Sequence, residues 1–168
     1  MRADAPLELE PLAESHDVTG FDRGVPALNA YLTRRALADQ RAEKTRTFVA
    51  SRGARVVAFF SLAAASVEPQ RATTRLARGQ GAQVIPVILL ARLAVDSSEQ
   101  GQGLGKAMLL EALGRCAEAA DIIGARAVLV HAKNAAARGF YERYGFEPSP
   151  TNPLHLVILM KDVRRSLS

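Results

Sequence analysis

Residues Gln100–Lys106 read QGQGLGK, three glycines alternating with larger side chains between an apolar run and the start of a helical pattern. Glycine lets backbone amides come close to a ligand, and the first turn of a helix leaves its N–H groups unpaired. Together with the helix dipole, such a loop forms an anion site, most naturally for a pyrophosphate. The plainer alternative is a turn that only connects strand to helix. Two familiar phosphate loops do not fit. A P-loop ending in Gly105-Lys106 would need glycine in place of Gln100 and a hydroxyl residue in place of Ala107. The dinucleotide fingerprint G-x-G-x-x-G fails because the glycines stand at 101, 103 and 105.

The second group with usable chemistry is Tyr141 in FYERYGF. A phenol with a pKa near 10 stays protonated at neutral pH and could donate to a leaving group. It could equally be a packing aromatic, as Phe140, Tyr144 and Phe146 are expected to be. His16, His131 and His155 are scattered and show no metal-ligand spacing. His131 ends an apolar strand and reads as a satisfied core histidine. Arg71, Arg75 and Arg78 stand at i, i+4 and i+7, which puts them on one face of a short helix opened by Pro69. Like charges at that spacing repel, so the stripe suggests an anionic partner, with a solvated basic face as the alternative. Arg34 and Arg35, with Arg41, Lys44 and Arg46, form a second basic cluster, and Arg92 lies close to the loop's strand.

These groups need elements to position them. Val25–Gln40 carries Leu28, Tyr31, Leu32 and Ala36 at helical spacing, with Pro26 near its start. Thr45–Ala50 and Arg55–Val67, split by Arg52-Gly53, predict a hairpin. Val84–Asp96 predicts a central strand, because Pro86 and the valines disfavour a helix. Leu104–Ala120 repeats apolar residues every fourth position and predicts a helix. Ala127–His131 predicts a buried strand, Asn134–Arg143 a helix with Asn134 as N-cap, and Leu154–Met160 a last strand. Hairpin, strand, helix, strand, helix, strand makes a mixed α/β (α+β) domain.

Composition narrows the classes. The 168 residues suffice for one domain with a sizeable core. Lys and Arg number 22 against 17 Asp and Glu, a formal charge of +5, and only four of the cations are lysine. An arginine bias suits phosphate recognition, since the planar fork donates bidentate bonds. The lone cysteine, Cys116, falls in a helical pattern and reads as a buried thiol; reducing, cytoplasmic conditions are expected. MRADAPLELEPL lacks the apolar core of a signal peptide. The longest apolar runs, Val56–Val67 and Val84–Val95, fall short of the roughly 18 residues a membrane span requires. A soluble protein without membrane association and without a metal is expected.

Gln100-Gly101-Gln102-Gly103-Leu104-Gly105 resembles the Q/R-x-x-G-x-G/A signature of GNAT N-acetyltransferases, and ARLAVD and HAKNAAARGFYERYGFEP resemble the segments around it. FDRGVPALNAYLTRRALADQ, SRGARVVAFFSLAAASVEP and FYERYGFEPSPTNPLHLVILMKD further resemble the GNAT toxins of bacterial toxin–antitoxin pairs, which acetylate the amino group of aminoacyl-tRNA and block translation. Arg23 departs from the small residue or cysteine that such sequences often carry after Phe-Asp. The resemblance implies a GNAT fold, a mixed central sheet flanked by helices in a single domain, with acetyl-CoA as cofactor. It implies that the backbone of Leu93, Ala94 and Val95 supports the pantetheine arm and the thioester carbonyl. The amides of Gln100, Gly101, Gln102, Gly103, Leu104, Gly105 and Lys106 would take the pyrophosphate, Asn134 would lie against the CoA arm, and Tyr141 would be the general acid. Arg34, Arg35, Arg71, Arg75, Arg78 and Arg92 would face a tRNA acceptor arm. A ribbon-helix-helix antitoxin is the implied protein partner, and a homodimer is compatible.

No dedicated base stands out. A lysine acceptor, with a pKa near 10.4, would need one, whereas an α-amino group titrating near 7.7–8.0 is already partly nucleophilic. This favours an α-amine acceptor. The alternatives are a GNAT enzyme acetylating a small amine or a protein N-terminus, and a sensor that binds acyl-CoA without turnover. A sensor has no use for an acid at Tyr141.

Overall fold

A computed structural model describes residues 6–167. In chain order the strands are β1 (Leu7–Pro11), β2 (Arg46–Arg52), β3 (Arg55–Val67), β4 (Ile85–Val95), β5 (Ala127–His131), β6 (Glu147–Pro148) and β7 (His155–Leu159). The helices are α1 (Pro26–Ala30), α2 (Ala36–Arg41), α3 (Thr74–Ala77), α4 (Leu104–Ile123), α5 (Ala135–Arg143) and α6 (Met160–Leu167). The strands form a mixed sheet in the order β1-β2-β3-β4-β5-β7-β6, with β4 in the middle. Most of β4's side chains are buried or half-buried, as expected for a strand written as a nearly continuous apolar run. The backbone divides into two compact units: Met1–Ala63 with Arg92–Leu110, and Ala64–Ala91 with Glu111–Ser168.

In the first unit β1, β2 and β3 are antiparallel neighbours. The hairpin expected around Arg52-Gly53 is present, turned tightly so that Arg52 pairs with Arg55. Leu12, Phe21, Tyr31, Leu32, Val49 and Phe59 form its core. The helix expected over Val25–Gln40 is not uniform. Tyr31–Arg35 is a π-helical turn between α1 and α2, a local widening often found at functional sites. Tyr31 is buried there, its hydroxyl bonded to Asp39 (3.2 Å) and Thr45 (3.0 Å).

In the second unit β5 pairs antiparallel with β7 and parallel with the first part of β4, from Val87↔Ala127 to Leu90↔Val130. Leu76, Ile85, Val87, Ala127, Leu129, Val157 and Leu159 form its core. The single short helix expected after Pro69 resolves into a 3-10 turn over Pro69–Arg71 and the separate α3. Ala72 between them is extended, and Arg78 leaves the helix with ψ 123. Arg71, Arg75 and Arg78 therefore do not share one helix face. Thr73 decides the break, since its hydroxyl accepts the Leu76 amide and starts a new helix.

Helix α4 runs three residues past the expected Ala120 and buries Met108, Leu109, Ala112, Leu113 and Cys116 along one side. Burial pushes the Cys116 thiol up to about 12, as expected of a packing cysteine. No described helix is long and apolar enough to cross a membrane. No group of three or more His, Cys, Asp or Glu among the described residues is placed to hold a metal.

Candidate active site

In the first unit the glycine loop is tied down before it reaches its glycines. β4 ends at Val95, and Asp96 caps the 3-10 turn Ser97–Glu99 by accepting the Ser98 amide at 3.0 Å. Its other oxygen accepts the Asp22 amide at 2.7 Å. Burial alone would raise the Asp96 pKa, but hydrogen bonds from Ser98 and Asp22, with the charge of Arg55, hold it below the usual carboxylate value. Glu99 is buried and grips Arg52 in a two-pronged bond, Nε at 3.0 Å and Nη2 at 2.9 Å. The Arg52 bond lowers the Glu99 pKa against the opposing effect of burial. Gln100 then folds back, its side-chain amide donating to the Val95 carbonyl at 2.9 Å and the Arg23 carbonyl at 3.3 Å. Arg23 takes part through its backbone, so the departure at that position leaves the loop intact.

Gly101 and Gly103 have φ of +80° and +82°, a region that L side chains rarely adopt. They turn the chain into α4, whose Ala107 amide bonds back to the Gly103 carbonyl at 3.1 Å. The amides of Leu104, Gly105 and Lys106 therefore precede the first intrahelical bond. Gly101, Gln102, Gly103 and Lys106 are exposed. Leu93, Ala94 and Val95 lie past Leu90↔Val130, the last parallel pair between β4 and β5. An oxyanion fits a run of unpaired amides at a helix start, and an extended amide-bearing arm fits a strand that continues past its partner's ladder.

In the second unit Asn134 caps α5, its Oδ1 accepting the Ala137 amide at 2.9 Å. Tyr141 lies on α5 between two edge-on aromatic contacts, Phe140 at 5.2 Å and Phe146 at 5.3 Å. Burial pushes its phenol up to about 12, so it is fully protonated at neutral pH. Its hydroxyl makes no hydrogen bond to the protein among the described residues. The Tyr141 side chain is half-buried, and its hydroxyl keeps a donor open to a bound molecule.

The arginines part company. Arg75 bonds Glu147 and Asp162, each at 2.8 Å, and these bonds raise its pKa. Its guanidinium is committed to the fold, which corrects its expected place on an RNA-facing stripe. Arg71 and Arg78 are exposed. Arg92 stacks on the Tyr31 ring, 3.5 Å from its centroid. Arg34 and Arg35 are exposed on the π-helical turn, and Arg35 lies 3.9 Å from Asp39. His131 is not a core histidine. It is exposed and stacks against His155.

Sequence reasoning did not find Asp96, Glu99 and Arg52, which hold the loop. The Asp-Ser-Ser run at 96–98 carries a capping signal that could have pointed to the first of them. Nothing local marks the pairing of Arg52 with Glu99.

The acetyltransferase (GNAT) domain family matches residues 43–148. The chain is 51% identical to a tRNA-acetylating toxin of Mycobacterium tuberculosis (strain ATCC 25618 / H37Rv), over 91% of this chain and 92% of that protein. It is similar to the solved structure of AtaT complexed with acetyl-methionyl-tRNAfMet, with a TM-score of 0.89 and 26% identity over 97% of this chain and all of that one (100%). It is also similar to a Tyr→Phe mutant of the AtaT toxin bound to acetyl-CoA and the C-terminus of the antitoxin AtaR. That TM-score is 0.83, with 27% identity over 96% of this chain and 98% of that one.

Proposed function

The chain belongs to the GNAT acetyltransferase family, and from that premise we propose that it moves the acetyl group of acetyl-CoA to the α-amino group of aminoacyl-tRNA, as a translation-blocking toxin. The observation that carries this is the extensive identity to a tRNA-acetylating toxin. We take residues 1–168 as one acetyltransferase domain working in the cytoplasm. An antitoxin of the ribbon-helix-helix class would restrain it, and a homodimer is compatible with the reading.

Each residue then has a task. The unpaired amides at the head of α4 neutralise the pyrophosphate of acetyl-CoA, while Gly101 and Gly103 keep the approach clear. The backbone of Leu93–Val95 holds the arm that carries the thioester and donates to its carbonyl oxygen as charge builds there. Asn134 fixes the start of α5, so that Tyr141 is rigidly held. The acceptor amine attacks the carbonyl carbon, a C–N bond forms and the C–S bond breaks. Tyr141 gives its proton to the departing thiolate, the amine's surplus proton passes to solvent, and solvent returns a proton to Tyr141. Because the acceptor is an α-amine, no strong base is needed. Arg34, Arg35, Arg71 and Arg78 are exposed cations suited to tRNA phosphates.

The test is incubation with radiolabelled acetyl-CoA and total charged tRNA. Label should enter RNA and be released by mild alkali, which cleaves the aminoacyl ester. Label confined to polyamines or peptides would replace this reading with that of a small-amine or N-terminal acetyltransferase.

A further inference from the structure

His131 and His155 stand directly opposite each other in the β5–β7 register. Their rings lie face to face, 4.0 Å between centroids and 16° from parallel. Two imidazolium ions would repel at that distance. Partial desolvation of the ring, and then the neighbouring His155, hold the His131 pKa below its usual value, which favours the neutral form. Neither imidazole hydrogen-bonds to the protein among the described residues. The pair is thus a flat aromatic surface with unspent polar edges.

It forms part of the wall of a cavity of about 760 Å³ that lies wholly within the second unit. Gln70 and Asn152 contribute amides to the same wall. Gln70 donates to Glu68 at 2.8 Å and keeps its carbonyl oxygen as an acceptor. Asn152 accepts the Leu154 amide at 3.0 Å and keeps its NH₂ as a donor. Arg71 adds an exposed guanidinium, loosely held by Glu68 at 4.0 Å. Leu129 and Val157 supply apolar floor. A ring face, a donor, an acceptor and a cation together match an unpaired nucleotide, whose base stacks, whose edge bonds and whose phosphate is anionic. The cavity also belongs to the chain segment that bears the chemistry, since Asn134 and α5 follow His131 after two residues.

We propose that this cavity holds an unpaired base of the 3′ end of aminoacyl-tRNA, stacked on the His131–His155 pair. The inference rests on the acceptor assigned above and adds a residue-level recognition site to it. Its probe is the unacylated RNA trinucleotide CCA, titrated against the protein while the imidazole Cε1–H signals are followed by NMR. His16, bonded to Glu10 and to the Ala13 amide in the first unit, is the internal reference. The His131 and His155 signals should move and that of His16 should not. Joint His131→Ala and His155→Ala substitution should weaken CCA binding about 10-fold or more. It should also raise KM for aminoacyl-tRNA and leave acetyl-CoA affinity unchanged, whereas His155→Phe, which keeps a ring, should retain most of the binding.

Histidine signals that stay fixed at saturating CCA would overturn the proposal. Shifts that follow protein concentration instead of RNA would also overturn it and assign the face to self-association. An unchanged KM in the double alanine variant, with charged tRNA still acetylated, would remove the cavity from recognition and leave the acceptor assignment standing. If wild-type protein acetylates no charged tRNA, the acceptor assignment falls, and the proposal of a site for the substrate's 3′ end falls with it. CCA binding in that case would mark only an RNA site.

Discussion

The glycine loop of the first unit and helix α5 of the second present their chemistry in opposite ways. In the proposed mechanism the loop works through backbone amides, and the side chains around it (Asp96, Glu99, Arg52, Gln100) hold the backbone still. Helix α5 in the same proposed mechanism works through one hydroxyl, while its backbone is an ordinary capped helix. A backbone site should therefore tolerate side-chain changes at its exposed positions and fail when a dihedral or an anchor is disturbed. A side-chain site should lose its function when one atom is removed, with its fold intact.

The largest expected effect is on the anchor. Glu99→Ala removes the two-pronged carboxylate grip on the half-buried Arg52 guanidinium, and a hydrogen bond to a charged group contributes about 1.5–3 kcal/mol. The urea midpoint should fall accordingly, and acetyl-CoA affinity should fall with it. A variant of wild-type stability would mean that the pair does not hold the loop. Next comes Tyr141→Phe, expected to lower kcat by about 100-fold or more with no change in acetyl-CoA Kd. Unchanged turnover would return Tyr141 to the packing aromatics.

Gly103→Ala meets no atom within 4 Å, so its cost is purely conformational. It should amount to about 1–2 kcal/mol for a residue held at positive φ. Gln102→Ala, beside it and exposed, should stay within about 0.5 kcal/mol. Equal effects from the two would remove the distinction between backbone and side-chain sites.

The smallest effects come from titration. The Tyr141 pKa is raised, so its neutral form is favoured in the folded state. That contribution to stability is complete below pH 10 and is lost as pH climbs from 10 towards 12. Phenolate absorbance of this residue should appear only near pH 12 in folded protein and near 10 in urea. As an acid it should cause no alkaline loss of kcat before that range. The His131 pKa is lowered, so the unfolded chain binds more protons just below pH 6.5, and stability should decline slightly as pH falls through that region. His131→Phe should flatten that decline when melting is followed between pH 5 and 7.

What could be read without coordinates was local. The strand–glycine loop–helix unit, the Asn134 cap and the apolar run of β4 depend on residues within a few positions of each other, and the sequence alone determined them. β1 and the two-residue β6 were not foreseen because short edge strands carry little period, and α6 follows the last strand with no turn signal between them. Tertiary structure decided the fate of the charged and aromatic groups. It took Arg75 out of a basic stripe by bringing up Glu147 and Asp162, 72 and 87 residues further along the chain. It laid Arg92 over Tyr31, tied Arg52 to Glu99, and turned His131 from an expected core residue into an exposed ring stacked on the half-buried His155. Long side chains with directional partners take their meaning from what the sheet register brings opposite them. That register follows from packing of the whole chain, which no local spacing records.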